Sequence, residues 1–318
     1  MTEQQLTAHL DTYLRLRTTL GFRVQQEPSL LRAFVQFVTQ RAAGEPVRAA
    51  LAVEWACLPS QRGPRRSPAQ RLSMVRRFLT YVRAHAPETE VPDHHLVAGA
   101  RRRLPFLFTP AQVVTLVQVA QQAKPHDSLR PHTLATLIGL LASTGLRISE
   151  ALHLDRADVQ LEADPPRLLI APTKFHKARW VPLHTTTATQ LRQYQRLRQR
   201  HFPRPTTDRF FVSAKGKPVN HDALWAWFSQ TCRQLGFWPT SDDARRPCLH
   251  SLRHSFAVQR VLQWYEAGLD VYGPLPHLSV YLGHVRPQES YWYLTATPEL
   301  LTQAAHRFAQ FVGTGGET

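Results

Sequence analysis

The stretch Tyr281-Leu-Gly-His284-Val-Arg-Pro-Gln-Glu-Ser-Tyr-Trp-Tyr293 lies near the end of the chain and decides how the rest of the sequence is interpreted. It places a histidine directly after a Leu-Gly turn and a tyrosine nine residues further on. Because glycine commonly ends a helix, we expect the histidine just beyond a helix end. The tyrosine is expected in a following segment that is either helical or mobile. The stretch thus supplies an imidazole and a phenol at a fixed spacing.

Two stretches further upstream add charged side chains that complement this pair. They read Thr144-Gly-Leu-Arg147-Ile-Ser-Glu150 and His250-Ser-Leu-Arg253-His254. Arg147 follows a glycine stop and opens a helix, where Glu150 is spaced to pair with it. His250 and Arg253 are three residues apart and therefore share one face of a helix. A predicted hairpin turn adds Lys174, with Lys177 as its rival.

These residue types are the ones that a protein needs in order to cut a DNA phosphodiester without a metal. A phenol suits the nucleophile role because a phosphotyrosyl ester preserves the energy of the broken bond, so a DNA hydroxyl can reverse the step. Arginine guanidinium groups stay protonated and bind phosphate oxygens in pairs, which neutralises developing charge. Lysine or histidine can protonate the leaving 5′-oxygen.

The charge of the chain also favours a polyanionic partner. Lys plus Arg exceed Asp plus Glu by 39 − 23 = 16, and the sequence pI is near 10.6. Arginine carries nearly all of this charge, and guanidinium groups suit phosphate. The alternative is that the many arginines reflect the base composition of the genome and lie on an ordinary protein surface.

No apolar run reaches membrane length, the N-terminus lacks the order of a secretory signal, and the three cysteines lack metal-ligand spacing. We therefore expect a cytoplasmic, nucleoid-associated protein without a membrane partner.

Helical periodicity dominates the first part of the chain. Residues 1–86 predict four helices that form an N-terminal DNA-clamping domain, and the alternative is a plain packing module. Residues 87–108 are rich in proline, histidine and arginine, which predicts a basic linker between domains. The expected DNA contacts are arginines of the fourth helix and of the linker, namely Arg71, Arg76, Arg77, Arg101, Arg102 and Arg103.

The second domain is predicted over residues 109–318. It is mostly helical, with an apolar helix before Gly145 and two short strands near 167–171 and 179–183 that form the hairpin. A final amphipathic helix is predicted over 298–312. The fold class is therefore mainly α with a small β-sheet.

The three motifs, in this order and spacing, resemble the tyrosine recombinases of the phage integrase family, and more closely the Xer-like members. The resemblance covers nearly the whole chain. It implies a helical, SAM-like core-binding domain followed by an α+β catalytic domain. The segment around Trp292 and Leu294 also resembles recombinases carried by transposons and plasmids, which implies integration or excision of a mobile element.

The resemblance also implies roles for individual residues. The family's catalytic set falls on Arg147, Lys174, His250, Arg253, His284 and Tyr293, with Glu150 supporting Arg147. In the family, the tyrosine forms a 3′-phosphotyrosyl bond and frees a 5′-hydroxyl without metal or cofactor. Strand exchange takes place in a tetramer on two DNA duplexes, with or without partner recombinases. The C-terminal helix docks on a neighbouring protomer or folds back in cis.

Several alternatives compete with this interpretation. Tyr291 is the alternative nucleophile, but the nine-residue spacing from His284 favours Tyr293. His250 and His254 have zinc-ligand spacing, but neither a glutamate nor a third ligand accompanies them, so we expect no metal site. A type IB topoisomerase uses the same chemistry and is the competing enzyme class. A DNA-binding regulator that has lost catalysis is the competing non-enzymatic class.

Overall fold

The chain divides into two compact units in a computed structural model, Met1–Arg102 and Arg103–Thr318. The division falls inside the range predicted as a linker. The structure describes residues 1–22, 24, 27–59, 66–99, 105–171, 178–240, 245–284, 291, 302 and 305. Several predicted features lie outside these residues, namely Lys174, Lys177, Tyr293, Arg101, Arg102, Arg103 and all of the helix predicted over 298–312 except residues 302 and 305.

The described part of the first unit contains four helices. They are α1 (Glu3–Thr19), α2 (Glu27–Arg41), α3 (Ala49–Cys57) and α4 (Pro68–Arg83). α1 and α4 each begin at a capping box, in which a hydroxyl of Thr2 or Ser67 accepts from the backbone of Gln5 or Gln70, whose amide oxygen accepts in return. These reciprocal bonds satisfy donors that a helix start leaves unpaired. One apolar face of each helix meets at a buried core that includes Leu10, Leu31, Phe34, Trp55, Val75 and Phe78.

Arg71 belongs to this packing. It is buried, its guanidinium lies 4.2 Å from the centroid of the Trp55 ring, and it donates to the carbonyl of Leu58. Burial lowers the pKa of the Arg71 guanidinium. The sequence predicted a DNA contact, but the structure gives this side chain a role inside the bundle.

The other two arginines predicted on α4 are more accessible. Arg76 donates through Nε to the carbonyl of Pro92 at 3.1 Å, and Arg77 donates to Glu27 at 3.2 Å. Arg77 is exposed and its ion pair is therefore weak, so it can exchange the carboxylate for a phosphate. DNA contact by Arg76 and Arg77 remains a prediction.

The first residues of the predicted linker pack on the first unit. The carboxylate of Glu90 accepts from Arg48 at 2.8 Å and from the backbone of Ala49 at 2.9 Å. The backbone of Glu90 in turn donates to Val47, and Thr89 is buried. The carboxylate caps the start of α3, where a helix favours negative charge. Residues 89–90 are thus part of the bundle surface.

The described part of the second unit contains seven α-helices and three strands. The helices are α5 (Pro110–Gln121), α6 (Arg130–Thr144), α7 (Ile148–Leu152), α8 (Thr185–His201), α9 (His221–Gln234), α10 (Leu249–Glu266) and α11 (Leu275–Leu282). A 3-10 turn at Arg156–Asp158 precedes the strands β1 (Val159–Gln160), β2 (Arg167–Ile170) and β3 (Arg179–Pro182). None of the described helices is long and apolar enough to cross a bilayer.

The strands form one antiparallel sheet in the order β1-β2-β3. In the β2–β3 hairpin Leu168 pairs with Val181, and Ile170 pairs with Arg179 as the last rung before the loop. The sequence predicted β2 and β3; it missed β1, whose two residues are too short to show alternation. The fold class is confirmed as mainly α with a small sheet.

The central helix of this unit is α6. It is buried nearly all round, as its apolar sequence predicted, and packs against α5, α8 and α10. The hydrophobic core that contains its buried side chains also includes Leu116, Leu191, Phe211, Phe228 and Leu252. Because α6 is held on several sides, its end at Gly145 is a fixed point from which the next residues emerge.

Candidate active site

The site begins where α6 ends. Gly145 adopts the left-handed conformation (φ +62°), and Arg147 follows as the residue that caps α7. The backbone N–H of Arg147 donates to Glu150 Oε2 at 3.0 Å, and its guanidinium donates to Oε1 at 2.9 Å. The ion pair that the sequence predicted between these residues is therefore present. It holds the Arg147 guanidinium at the start of a helix.

Glu150 also receives a second arginine. Its side chain is fully buried, and Arg179 at the start of β3 donates to both carboxylate oxygens, at 3.0 and 2.8 Å. Burial alone would raise the pKa of Glu150, but the hydrogen bonds and charges of Arg179 and Arg147 outweigh it and hold the pKa below its ordinary value. Glu150 is therefore a carboxylate shared by two guanidinium groups.

A third arginine approaches from α10. Arg253 is only 1% exposed, and it donates to the carbonyls of Gly145 at 2.8 Å and of Leu282 at 2.7 Å. These bonds join the end of α6 to the end of α11. Residues 145 and 253 are 108 positions apart in sequence, so only the fold brings them together.

The end of α11 is the point at which the three arginines converge. α11 stops at Gly283, which is left-handed (φ +67°), and its last carbonyls have no partner within the helix. Arg147 donates to the carbonyl of Gly283 at 2.9 Å, and Arg179 donates through Nε to the carbonyl of Tyr281 at 2.8 Å. The negative end of the helix dipole adds to this attraction. The Leu-Gly-His turn is thereby fixed beside the guanidinium groups.

Two histidines border the arginines. Burial and the charges of Arg253 and Arg147 lower the pKa of His284 to about 3, and the same causes lower the pKa of His250 to about 4, although His250 as a whole residue is exposed at the surface. Both imidazoles are therefore neutral at neutral pH. A neutral imidazole has one N–H donor and one acceptor nitrogen, so it can accept or donate a proton. The His254 ring meets that of His250 edge to face, with centroids 4.6 Å apart.

The structure therefore brings together five of the residues predicted from the sequence, namely Arg147, Glu150, His250, Arg253 and His284. The two lysine candidates and Tyr293 lie outside the described residues. Tyr291, the rival nucleophile, is described and is exposed. Two arginines and one carboxylate were expected, whereas the described site holds three arginines, of which Arg147 and Arg179 pair with the carboxylate.

The residue that the sequence analysis missed is Arg179. The signal was available in the alternation of β3, because Arg179 lies on the same face of the strand as Val181, which is buried. An arginine on the inward face of a strand needs a carboxylate partner. With three guanidinium groups, one carboxylate and neutral histidines, the described site carries an excess of two positive charges and suits a phosphodiester.

The close contact at Gly283 gives a prediction. A Cβ built there would lie 2.7 Å from an Arg179 nitrogen and 2.9 Å from its Cζ, so Gly283→Ala must displace that guanidinium. We expect DNA cleavage to slow by roughly tenfold. The displaced guanidinium no longer holds its partners in place, and about 1–2 kcal/mol of left-handed backbone strain is added. The rate of cleavage of a bound DNA substrate measures this.

Gly236→Ala is the matched control for this variant. Gly236 has φ +70°, but a Cβ there meets nothing within 4 Å. It therefore carries the same backbone strain without the contact. Equal loss of cleavage in both variants would show that strain alone, and not displacement of Arg179, is responsible.

Comparison with known families agrees with the fold and with the motifs. The profile of the phage integrase family matches residues 107–299, which is more than half of the chain. The chain belongs to the phage integrase family and is a tyrosine-type site-specific DNA recombinase, an enzyme class that cleaves and rejoins DNA.

The chain is also similar to individual recombinases in sequence and in structure. A putative integrase/recombinase of Sinorhizobium fredii, y4rE, is 36% identical over 299 residues and covers 94% of each chain. The tyrosine recombinase XerC of Roseiflexus castenholzii is 27% identical over 64% of this chain and 60% of its own. Among solved structures, the XerH recombinase bound to difH DNA has a TM-score of 0.66 (18% identity, 87% and 77% of the two chains). The Tn1549 transposon integrase bound to transposon-end DNA has a TM-score of 0.63 (17% identity, 97% and 100%).

Proposed function

We propose that this recombinase cuts DNA through a 3′-phosphotyrosyl intermediate, without a metal, to integrate or excise a mobile element. Tyr293 is the proposed nucleophile, and Arg147 and Arg253 hold the non-bridging oxygens of the scissile phosphate. His250 and His284 assist by hydrogen bonding and proton transfer. Lys174 is the proposed acid for the leaving group, with Lys177 as its rival.

One observation carries the proposal. Arg147, Arg253, His250 and His284 come from three separate helix ends, yet all of them gather at the last turn of α11. No structural need of the core requires two neutral imidazoles beside three guanidinium groups. A group of fixed cations with neutral proton carriers is what phosphoryl transfer demands, because charge develops on the phosphate while protons move.

The proposed step exchanges one P–O bond for another. The phenolic oxygen of Tyr293 attacks phosphorus and passes its proton to a neutral imidazole, that of His250 or His284, while a P–O bond to tyrosine forms and the bond to the 5′-oxygen breaks. The departing oxygen takes a proton from the lysine and leaves as a 5′-hydroxyl. Rejoining is the reverse reaction with a 5′-hydroxyl of the same or another strand, so no external energy source or cofactor is required.

The neutral histidines fit this step. The same positive charges that hold their pKa values low also attract the phosphate. When a DNA phosphate binds, its negative charge offsets that of the arginines, so the pKa of each imidazole rises toward its ordinary value. The histidines are thereby readied for proton transfer by the substrate itself.

The partners proposed for the reaction follow from the same chemistry. Double-stranded DNA with a specific site is the substrate, bound as well by Arg76, Arg77 and the arginines at 101–103. Self-association to a tetramer on DNA, through the C-terminal helix and with or without partner recombinases, provides two strands for exchange. The names of the relatives, an integrase/recombinase and a transposon integrase, support a mobile element. We therefore also propose that the protein associates with the nucleoid.

Covalent trapping tests the proposal. Nicked suicide duplexes made from the DNA that flanks the gene are incubated with the wild-type protein in excess EDTA. We expect a protein adduct on the 3′ side of the break, with the peptide that contains Tyr293 attached. Tight, sequence-specific binding without an adduct would contradict the proposal and favour a regulator. Relaxation of supercoils without site preference would favour a topoisomerase.

A further inference from the structure

Arg179 makes three hydrogen bonds and each goes to an element of the site. Two go to the oxygens of Glu150 and the third goes to the carbonyl of Tyr281. Its side chain is 14% exposed, and it lies so close to Gly283 that no Cβ fits between them. The guanidinium therefore connects β3, α7 and the Leu-Gly-His turn in a single arrangement.

We propose that Arg179 is a positioning residue for strand cleavage, which holds Glu150 so that the Arg147 guanidinium keeps donors available for the scissile phosphate. The proposal rests on the proposed function. Arg179 is not itself expected to contact DNA, because its side chain is largely buried and each of its three nitrogens already donates to a group within the protein.

The argument starts from the acceptor capacity of Glu150. A carboxylate has about four acceptor positions. Here they receive the backbone and guanidinium of Arg147 and the two terminal nitrogens of Arg179. Without Arg179, the buried carboxylate would have Arg147 as its sole counter-charge and would draw that guanidinium fully onto itself. Donors now free for a phosphate would then be spent on Glu150.

The position of Arg179 in the hairpin adds a second link. It pairs with Ile170 as the last rung of β2 and β3, so the loop that contains both candidate lysines begins and ends at this rung. Holding Arg179 against Glu150 therefore holds the base of that loop relative to Arg147. The Arg147 guanidinium and the rung at which the described strands end are thus anchored to the same carboxylate.

Lysine cannot replace this arrangement. The three acceptors of Arg179 are spread over two carboxylate oxygens and a separate carbonyl, which suits a planar guanidinium with donors on three nitrogens. A lysine ammonium is a point charge on one nitrogen and cannot reach all three. Arg179→Lys therefore keeps the positive charge of the site but loses the arrangement of three hydrogen bonds.

The experiment compares single-turnover adduct formation on suicide DNA for Arg179→Lys and for Arg192→Lys. Arg192 is the matched control because it also pairs with a carboxylate of the same unit, Glu162, at 3.0 Å, but it lies on α8 and is not part of the site. We expect Arg179→Lys to react about 30-fold more slowly, with the DNA dissociation constant and the melting temperature close to wild type. Arg192→Lys is expected to react at the wild-type rate.

Two further readouts separate positioning from a general structural effect. If Arg179 acts through Arg147, then Arg147→Lys combined with Arg179→Lys reacts no more than about twofold more slowly than Arg147→Lys alone. A methylphosphonate at the scissile position removes the charge that Arg147 neutralises, so the Arg179→Lys defect should shrink to about threefold or less. A general loss of structure would leave that defect unchanged.

The outcomes distinguish the two proposals. An Arg179→Lys variant that cleaves like wild type, or whose defect multiplies with that of Arg147→Lys, would overturn the role of Arg179 and leave the tyrosine mechanism intact. A wild-type protein that binds the duplex and gives no adduct would overturn the proposed function itself, and the role of Arg179 with it.

Discussion

Tyr293→Phe will form no covalent adduct on suicide DNA, whereas Tyr291→Phe will form it at the wild-type rate. Phenylalanine keeps the ring but has no hydroxyl to attack phosphorus, so the loss should be at least about a thousandfold. Tyr291 is the matched control because it is exposed and two residues away, and it loses the same hydroxyl. Gel-resolved adduct yield after single-turnover incubation measures the effect.

DNA binding is the internal control for this comparison. Neither substitution removes a basic side chain that could bind a DNA phosphate, so both variants should bind the duplex with the wild-type dissociation constant. If Tyr291→Phe abolishes the adduct and Tyr293→Phe retains it, the nucleophile has been assigned to the wrong tyrosine. An adduct in both variants would point to a nucleophile elsewhere in the chain.

Glu150→Gln will weaken both the fold of the second unit and its cleavage activity. Among the described residues, Glu150 is the carboxylate that pairs with both Arg147 and Arg179, so the change leaves these two guanidinium groups without that counter-charge. Breaking a buried ion pair from one side costs about 3 kcal/mol or more in free energy of unfolding. Because both site arginines lose their common partner, we also expect cleavage to fall by about a hundredfold.

The pH dependence of stability will identify the carboxylate as the cause. The pKa of Glu150 is lowered in the folded protein from its ordinary value of 4.5, so its contribution is fully present above pH 4.5. As the pH falls below 4.5 and through the folded pKa, that contribution is lost. The difference in unfolding free energy between wild type and Glu150→Gln should therefore be large near neutrality and should shrink in acid.

Urea unfolding of the full chain at a series of pH values measures this difference. Glu162→Gln is the control, because its carboxylate is largely exposed and pairs with Arg192 at the surface. Such a pair contributes little, so the control should unfold like wild type. A stability difference for Glu150→Gln that stays constant below pH 4.5 would contradict the assigned role of the carboxylate.

Much of the local structure follows from short-range sequence signals. The capping boxes at Thr2 and Ser67, and the glycines that end α6 and α11, mark helix limits because each satisfies backbone groups within a few residues. The apolar run of α6 predicted burial on every side. In the site, spacing within single helices predicted the pairing of Arg147 with Glu150.

Other features depend on residues far apart in sequence. Arg71 has the spacing of a surface residue on a basic helix, yet Trp55 covers its guanidinium, and no pattern within α4 indicates that contact. The two-residue strand β1 exists because β2 offers it a partner. Arg179 makes its three hydrogen bonds to two residues, Glu150 and Tyr281, which lie 29 and 102 positions away in sequence, and local periodicity cannot reveal such contacts.

The sequence by itself determined the class of this protein. The chemistry requires an arginine, a His-x-x-Arg pair, a Leu-Gly-His turn and a tyrosine, and their order and spacing can be recognised directly in the sequence. Only the tertiary structure decided which arginines pair with Glu150 and with the carbonyls at the end of α11. The carbonyls at the end of α11 and the buried carboxylate of Glu150 can each be satisfied by any nearby donor. Which arginines reach them depends on how α6, α10 and β3 pack, and that packing made Arg179 a member of the site.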